Sequence, residues 1–230
     1  MINHAPPGDG AFAELPLLVW LSPAFPVGGF AYSHGLEAAV DDGVVRDGDT
    51  LAAWVADLLA AGSGRQDAIL LAAGWRAGQA GDAAALRDVN ALALALCPGR
   101  ERLLETSTMG ASFAAALAAA WPGLLFPADE EGVAYAVAVG AAAGSAALSL
   151  RATLEAFALA FVANLVSSAL RLGIIGQTDG QRVTAGALPA IRRLAGMAAV
   201  ADLDAVGACA FRSDIGSLRH ETQYSRLFRS

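Results

Sequence analysis

The 230-residue chain contains no lysine; all fifteen of its basic residues are arginine. A phosphate loop of the Gly-x-x-x-x-Gly-Lys-Ser/Thr type is thereby excluded. Pro26-Val27-Gly28-Gly29 reads instead as a sharp turn in which glycine supplies unusual dihedrals or close packing. Cationic surface is scarce too: 22 acidic residues leave a net charge of −7, which argues against general nucleic-acid binding, since that needs cations to neutralise phosphates. There are only two cysteines, Cys97 and Cys209, and no CxxC pair. That excludes a disulfide framework and predicts buried, reduced thiols in a cytoplasmic protein. The three histidines, His4, His34 and His220, lie at no metal-ligand spacing, and neither HxH nor HExxH occurs. No metal or cofactor is assigned on this pattern. There is no GxSxG, and Ser33 and His34 are adjacent, so on a helix they would not face each other; no catalytic residue is assigned. His34 and Glu37, three apart, read as a capping or surface pair.

Charged residues make up 16% of the chain against 56% hydrophobic, with a mean hydropathy of +0.49. This raises the question of a membrane span, most sharply at the uncharged residues 132–150. Those positions are mainly Ala and Gly, which gain little from lipid, and no basic flank sets an orientation; no membrane association is predicted. The first sixteen residues lack a basic region and an apolar core, so no signal peptide is expected.

What the chain has in abundance is alanine, the best helix former. No long apolar/polar alternation marks a strand, whereas helical periodicity recurs. Leu51, Trp54, Val55, Leu58 and Leu59 share one face after a cap at Asp49-Thr50, and Gly62 and Gly64 end that helix. Residues 66–79, 82–96, 100–121, 131–144 and 149–172 read similarly. In the last of these, Leu150, Leu154, Phe157, Phe161, Leu165, Ser168 and Leu172 form one stripe, with Arg151 and Glu155 paired on the far side. A further helix spans 180–198, capped by Thr178-Asp179, with Pro189 as a kink or break. The expected fold is all-α, a single bundle of about eight to ten helices over 1–210, followed by a polar tail at 211–230 that packs poorly in the free protein. An apolar bundle of this size also predicts a homodimer.

Three polar stretches stand apart. Residues 22–37, SPAFPVGGFAYSHGLE, combine aromatics with Gly and Pro, suiting a contact loop. Residues 176–181, GQTDGQ, join two long helices; capping and turning explain Thr178, Asp179 and Gly180 but not Gln177 or Gln181. Residues 219–230, RHETQYSRLFRS, hold the Arg and aromatic residues typical of binding hot spots. A different reading, an all-helical cofactor-dependent enzyme, would draw on Glu155, Asn164 and Arg171 inside the bundle.

The three stretches, in this order and spacing, resemble the N-terminal, central and C-terminal signatures of the urease accessory protein F family. Ala163–Leu172 resembles the segment that precedes the central signature, while Ala31 departs from the family's frequent Ser. The resemblance implies a non-enzymatic helical dimer that bridges the urease accessory protein D/H and the nickel-carrying GTPase accessory protein G. That assembly docks on apo-urease to complete its dinickel centre. By motif position it places Pro26, Gly28, Gly29, Tyr32, Ser33, His34, Gly35 and Glu37 at or beside the GTPase or dimer contact surface. Gln177, Asp179 and Gln181 are further partner-binding candidates. It assigns Arg219, His220, Glu221, Tyr224, Arg226, Leu227, Phe228 and Arg229 to the D/H partner.

Overall fold

The computed structural model describes residues 14–127 and 132–230; His4 and most of the stretch judged for a signal peptide lie outside them. Among the described residues there are ten α-helices and no strand, as the periodicity predicts. They are α1 (Leu15–Trp20), α2 (Leu36–Asp41), α3 (Gly48–Ala61), α4 (Ser63–Ala80), α5 (Ala83–Ala95), α6 (Arg100–Ala120), α7 (Tyr135–Ser145), α8 (Leu150–Arg171), α9 (Gln177–Ala198) and α10 (Phe211–His220).

The apolar stripes fall where the spacing puts them. In α3, Leu51, Trp54, Val55, Leu58 and Leu59 are all buried. In α8, Leu154, Phe157, Phe161, Leu165 and Ser168 are buried, and Arg151 pairs with Glu155 at 2.9 Å on the outer side. Helix ends differ in detail. Asp47, not Asp49, caps α3, its carboxylate accepting from the Thr50 amide while Thr50 Oγ1 accepts from the Asp47 amide. Only Gly62 ends α3; Gly64 lies within α4. Helix α9 begins at Gln177 and runs through Pro189 without a break. A proline inside a helix removes one bond to the preceding turn, and the flanking turns of this 22-residue helix carry it past that gap.

The tightest packing joins α4 and α7. Gly74 and Gly78 on α4 face Val137 and Ala141, while Gly140 and Gly144 on α7 face Leu71 and Trp75. A Cβ on Gly78, Gly140 or Gly144 would sit 2.0–2.2 Å from a facing carbonyl oxygen, so only glycine permits this approach. The stretch 132–150, which raised the membrane question, thus contains the inner helix α7, in which Ala136 to Gly144 are buried without interruption. Helices α6 and α8 are each long and apolar enough to cross a bilayer. Most of the apolar face of α8 is spent on the core, and α6 carries the buried pair Arg102 and Glu105.

Two expectations are corrected. Cys97 and Cys209 are free but not buried: one is half-buried just after α5, the other exposed in the extended segment before α10. The last twenty residues are not loosely held. Residues 211–220 form α10, and Phe228 and Ser230 are buried. Much of the tail faces water, but it is held at His220, Phe228 and Ser230, where its backbone and side chains bond to carboxylates of the bundle.

Candidate functional site

The first and third polar stretches meet; the second lies elsewhere. The chain after α1 is anchored by Phe25, whose ring lies 5.4 Å from Phe113 and 6.2 Å from Trp121. It then turns at Gly28, which has φ of +74°, a value that favours glycine. Phe30 projects outward, 70% exposed. The backbone beyond it is clamped by α8: Arg171 donates to the Phe30 carbonyl, and Asn164 donates to that of Tyr32 at 3.0 Å. These two side chains, candidates for a catalytic constellation by sequence, hold a loop in place.

The chain then dives inward. Tyr32, Ser33, His34, Gly35 and Glu37 are all buried. The sequence placed them at or beside a contact surface, and in this fold they reach one only through the loop that they support. Gly35, also at φ +74°, lies against the α10 backbone: a Cβ there would come 3.0 Å from Ser213 O and Ser217 N. His34 and Glu37 are not a surface pair. They point to two different buried networks.

The first network is built on Glu37. Its carboxylate accepts from the amides of Leu227 at 2.7 Å and Phe228 at 2.9 Å, and from His220 Nε2 at 2.9 Å. The opposite ring nitrogen, Nδ1, lies 2.7 Å from Glu101, which also takes Arg226 at 2.6 Å. His220 thus bridges two carboxylates, one at each ring nitrogen. Phe228 packs beneath Arg171, 4.3 Å from its guanidinium carbon, a cation–π contact. The Arg229 amide donates to Ala31 O, and Ser33 N donates to Ser230 O.

The second network surrounds Arg102. Its Nη1 reaches Glu105 at 2.6 Å and His34 Nδ1, while Nη2 is 3.9 Å from Asp67. His34 Nε2 donates to Glu105 at 3.2 Å, and Ser230 Oγ donates to Glu105 at 2.7 Å. Burial pushes His34 down to about 4, so it is neutral at pH 7 and fits this donor–acceptor pattern. Burial pulls Glu105 upward, but Arg102, His34 and the Ser230 hydroxyl outweigh it and hold the carboxyl low. Burial lifts Asp67 to about 6 against the pull of Arg102.

The remaining assigned residues lie on the outside. Arg219 pairs with Asp42 at 2.7 Å; Glu221 accepts from the Arg100 amide at 2.7 Å, at the positive end of α6. Tyr224 is fully exposed, and Pro26, Leu227 and Arg229 are exposed. Gln177 and Gln181 are exposed on the first turns of α9, where Asp179 pairs with Arg182 at 2.8 Å instead of capping the helix. Sequence reading missed Glu101, Arg102 and Glu105, because an Arg-Glu-Arg run at a helix start reads as a solvated face. It also missed the exposed stripe of Phe211, Ile215 and Leu218 along α10, although their four- and three-residue spacing was there to be seen. Among the described residues no cluster of His, Cys, Asp and Glu suits a metal ion.

The UreF family model matches residues 45–188. The urease accessory protein UreF of Xanthobacter autotrophicus is 53% identical over 226 residues, covering 96% of this chain and 93% of that protein. Its namesake in Methylobacterium radiotolerans is 52% identical over 98% of this chain and 100% of its own length. The one in Mesorhizobium japonicum is 50% identical over 96% of this chain. With half its residues shared along nearly its whole length, the chain belongs to the UreF family of urease accessory proteins.

Proposed function

We propose that this chain acts in urease maturation as a cytoplasmic, non-catalytic scaffold. In this reading it bridges the D/H accessory protein and the nickel-carrying GTPase accessory protein on apo-urease. The observation that carries the reading is the identity of about half of all positions, over nearly the full chain, with proteins named urease accessory protein UreF. The geometry is consistent with it. Glu37, Glu101 and Glu105 are spent on seating the tail and on Arg102, and five exposed apolar groups of α10 and the tail lie where a partner would dock.

Two faces are assigned. The D/H partner covers the outer side of α10 and the tail, where Phe211, Ile215, Leu218, Tyr224 and Leu227 are exposed beside Arg219 and Arg226. Aromatic and Arg residues are favoured anchors at such interfaces. The GTPase, or a second copy of the chain, meets the Pro26–Phe30 rim, with Gln177, Asp179 and Gln181 on α9 as a further patch. Co-purification with tagged D/H and GTPase partners tests the scheme. Ile215→Asp should keep the circular dichroism of the parent and lose D/H; retention of D/H at the parent level would remove α10 from the interface. Light scattering of the isolated chain should give the mass of a dimer.

A further inference from the structure

A cavity of about 390 Å³ opens beneath the 22–30 loop. Its volume falls in the range of small-molecule sites, and its walls are apolar and aromatic. They are formed by Phe25, Met109, Tyr135, Phe157 and Phe161. The inner end is the Arg102 network, with His34, Asp67, Arg102 and Glu105 all reaching the cavity.

The charges at that end do not balance. Arg102 spends Nη1 on Glu105 and His34. His34 is neutral. Asp67 accepts no hydrogen bond among the described residues, its nearest cationic nitrogen being Arg102 Nη2 at 3.9 Å. Two carboxylates therefore share one guanidinium, and Asp67, its side chain still 23% exposed toward the cavity, has no protein donor among the described residues. Glu105 is fully used, by Arg102, His34 and Ser230, so the deficit sits on Asp67. Its upward displacement to about 6 expresses the same shortage.

We propose that this cavity is a binding site for a small amphipathic organic cation, an aryl- or alkylammonium compound. Its ammonium group pairs with Asp67 and its apolar body lies against the Phe157, Phe161 and Tyr135 rings. The aromatic faces favour a cation over an anion of equal shape. An anionic ligand would meet an end where two carboxylates outnumber one guanidinium, with Asp67 there to repel it. A neutral ligand would fill the walls and leave Asp67 as it is.

The test is titration of the full chain with 2-phenylethylammonium, read by calorimetry or ligand-observed NMR. The controls are 3-phenylpropionate and 2-phenylethanol, close in shape but anionic and neutral. The cation should bind saturably and roughly tenfold or more tighter than either control, about the effect of one partly desolvated charge pair. Asp67→Asn should erase that preference while leaving weak binding of the alcohol. Ala160→Phe, which fills the cavity from α8, should abolish binding of all three, with denaturation curves confirming that each variant folds. Absence of saturable cation binding up to about 10 mM, the weak end of specific recognition, overturns the proposal. So does a preference for the anion, or a cation preference that survives Asp67→Asn.

Discussion

His34 and Asp67 lie on the same buried guanidinium and pull stability in opposite directions with pH. His34 falls from 6.5 to about 4 on folding, so the unfolded chain binds more protons between those values. Its contribution is complete above 6.5 and is lost as pH falls toward 4. Asp67 rises from 3.8 to about 6; its contribution is complete below 3.8 and is lost as pH rises through 6. Between pH 4 and 6 the two slopes oppose each other, each about 1.4 kcal/mol per pH unit. Asp214, also lifted by burial against Arg102, acts in the Asp67 sense, and the low carboxyl of Glu105 matters only below its ordinary value of 4.5. Asp67→Asn should therefore lose roughly 1–2 kcal/mol more than the parent on going from pH 7 to pH 5, measured by urea denaturation at both. Parallel pH profiles would refute the opposition. A second prediction concerns Glu37, which holds two tail amides and His220. Glu37→Ala should cost about 2–4 kcal/mol and make the amides of Leu227 and Phe228 exchange quickly; parent-like protection of both would mean that other contacts hold the tail.

Helix α7 has almost no amphipathic signal because it is enclosed: every residue from Ala136 to Gly144 is buried. Its glycines act through distance. Gly140→Val or Gly144→Val would drive a side chain into a carbonyl of α4, and should cost about 3 kcal/mol or more, above ordinary overpacking, because backbone must move. Chemical denaturation checks this; a loss below about 1 kcal/mol would show that the helices can separate cheaply. By contrast, Gly186 on α9 has open space around its Cβ direction, so Gly186→Ala should be neutral or stabilising by up to about 1 kcal/mol. The same residue type thus has opposite consequences on two helices, and its neighbours decide which. Helices α3 and α8 were legible because each buries one side and leaves the other to water, which writes a 3.6-residue period into the sequence. The stretch 131–144 reads as a helix too, but with no polar face it carries no sign of which side meets the core; in the fold every side does.

At the scale of the whole molecule, the tail closes the fold. A composition reading expects that removing residues 219–230 leaves the bundle intact. The structure alters that expectation, since the deletion takes away His220, Arg226 and the amides of Leu227 and Phe228, which leaves the side chains of Glu37 and Glu101 without their partners. It also removes from Glu105 the Ser230 hydroxyl, while Arg102 and His34 remain. Buried carboxylates in that position are costly. The truncated chain should keep its helical circular dichroism, because the core stripes lie upstream, but lose several kcal/mol in denaturant. It should also lose co-purification with the D/H protein. Unchanged stability would mean that water replaces the lost partners at little cost. Survival of D/H binding would move that interface off the tail. Phe30, 70% exposed on the opposite end of the same clamp, is the matching probe for self-association: Phe30→Asp should shift light scattering toward the monomer without changing helicity.

The sequence alone determined the helical class, the stripes of α3 and α8, and the three stretches that set the chain apart. These are local or periodic properties, carried by residue type and spacing. Tertiary structure alone decided what the stretches do for one another. Nothing in the spacing of Glu37, Glu101 and His220, which are 64 to 183 residues apart, says that His220 joins the two carboxylates in the fold, nor that Ser230 reaches Glu105. A polar residue costs free energy to bury unless it is paired, so sequence reading sends polar stretches to the surface. Here the pairing groups come from three separate segments, and only folding brings them close enough to offset desolvation.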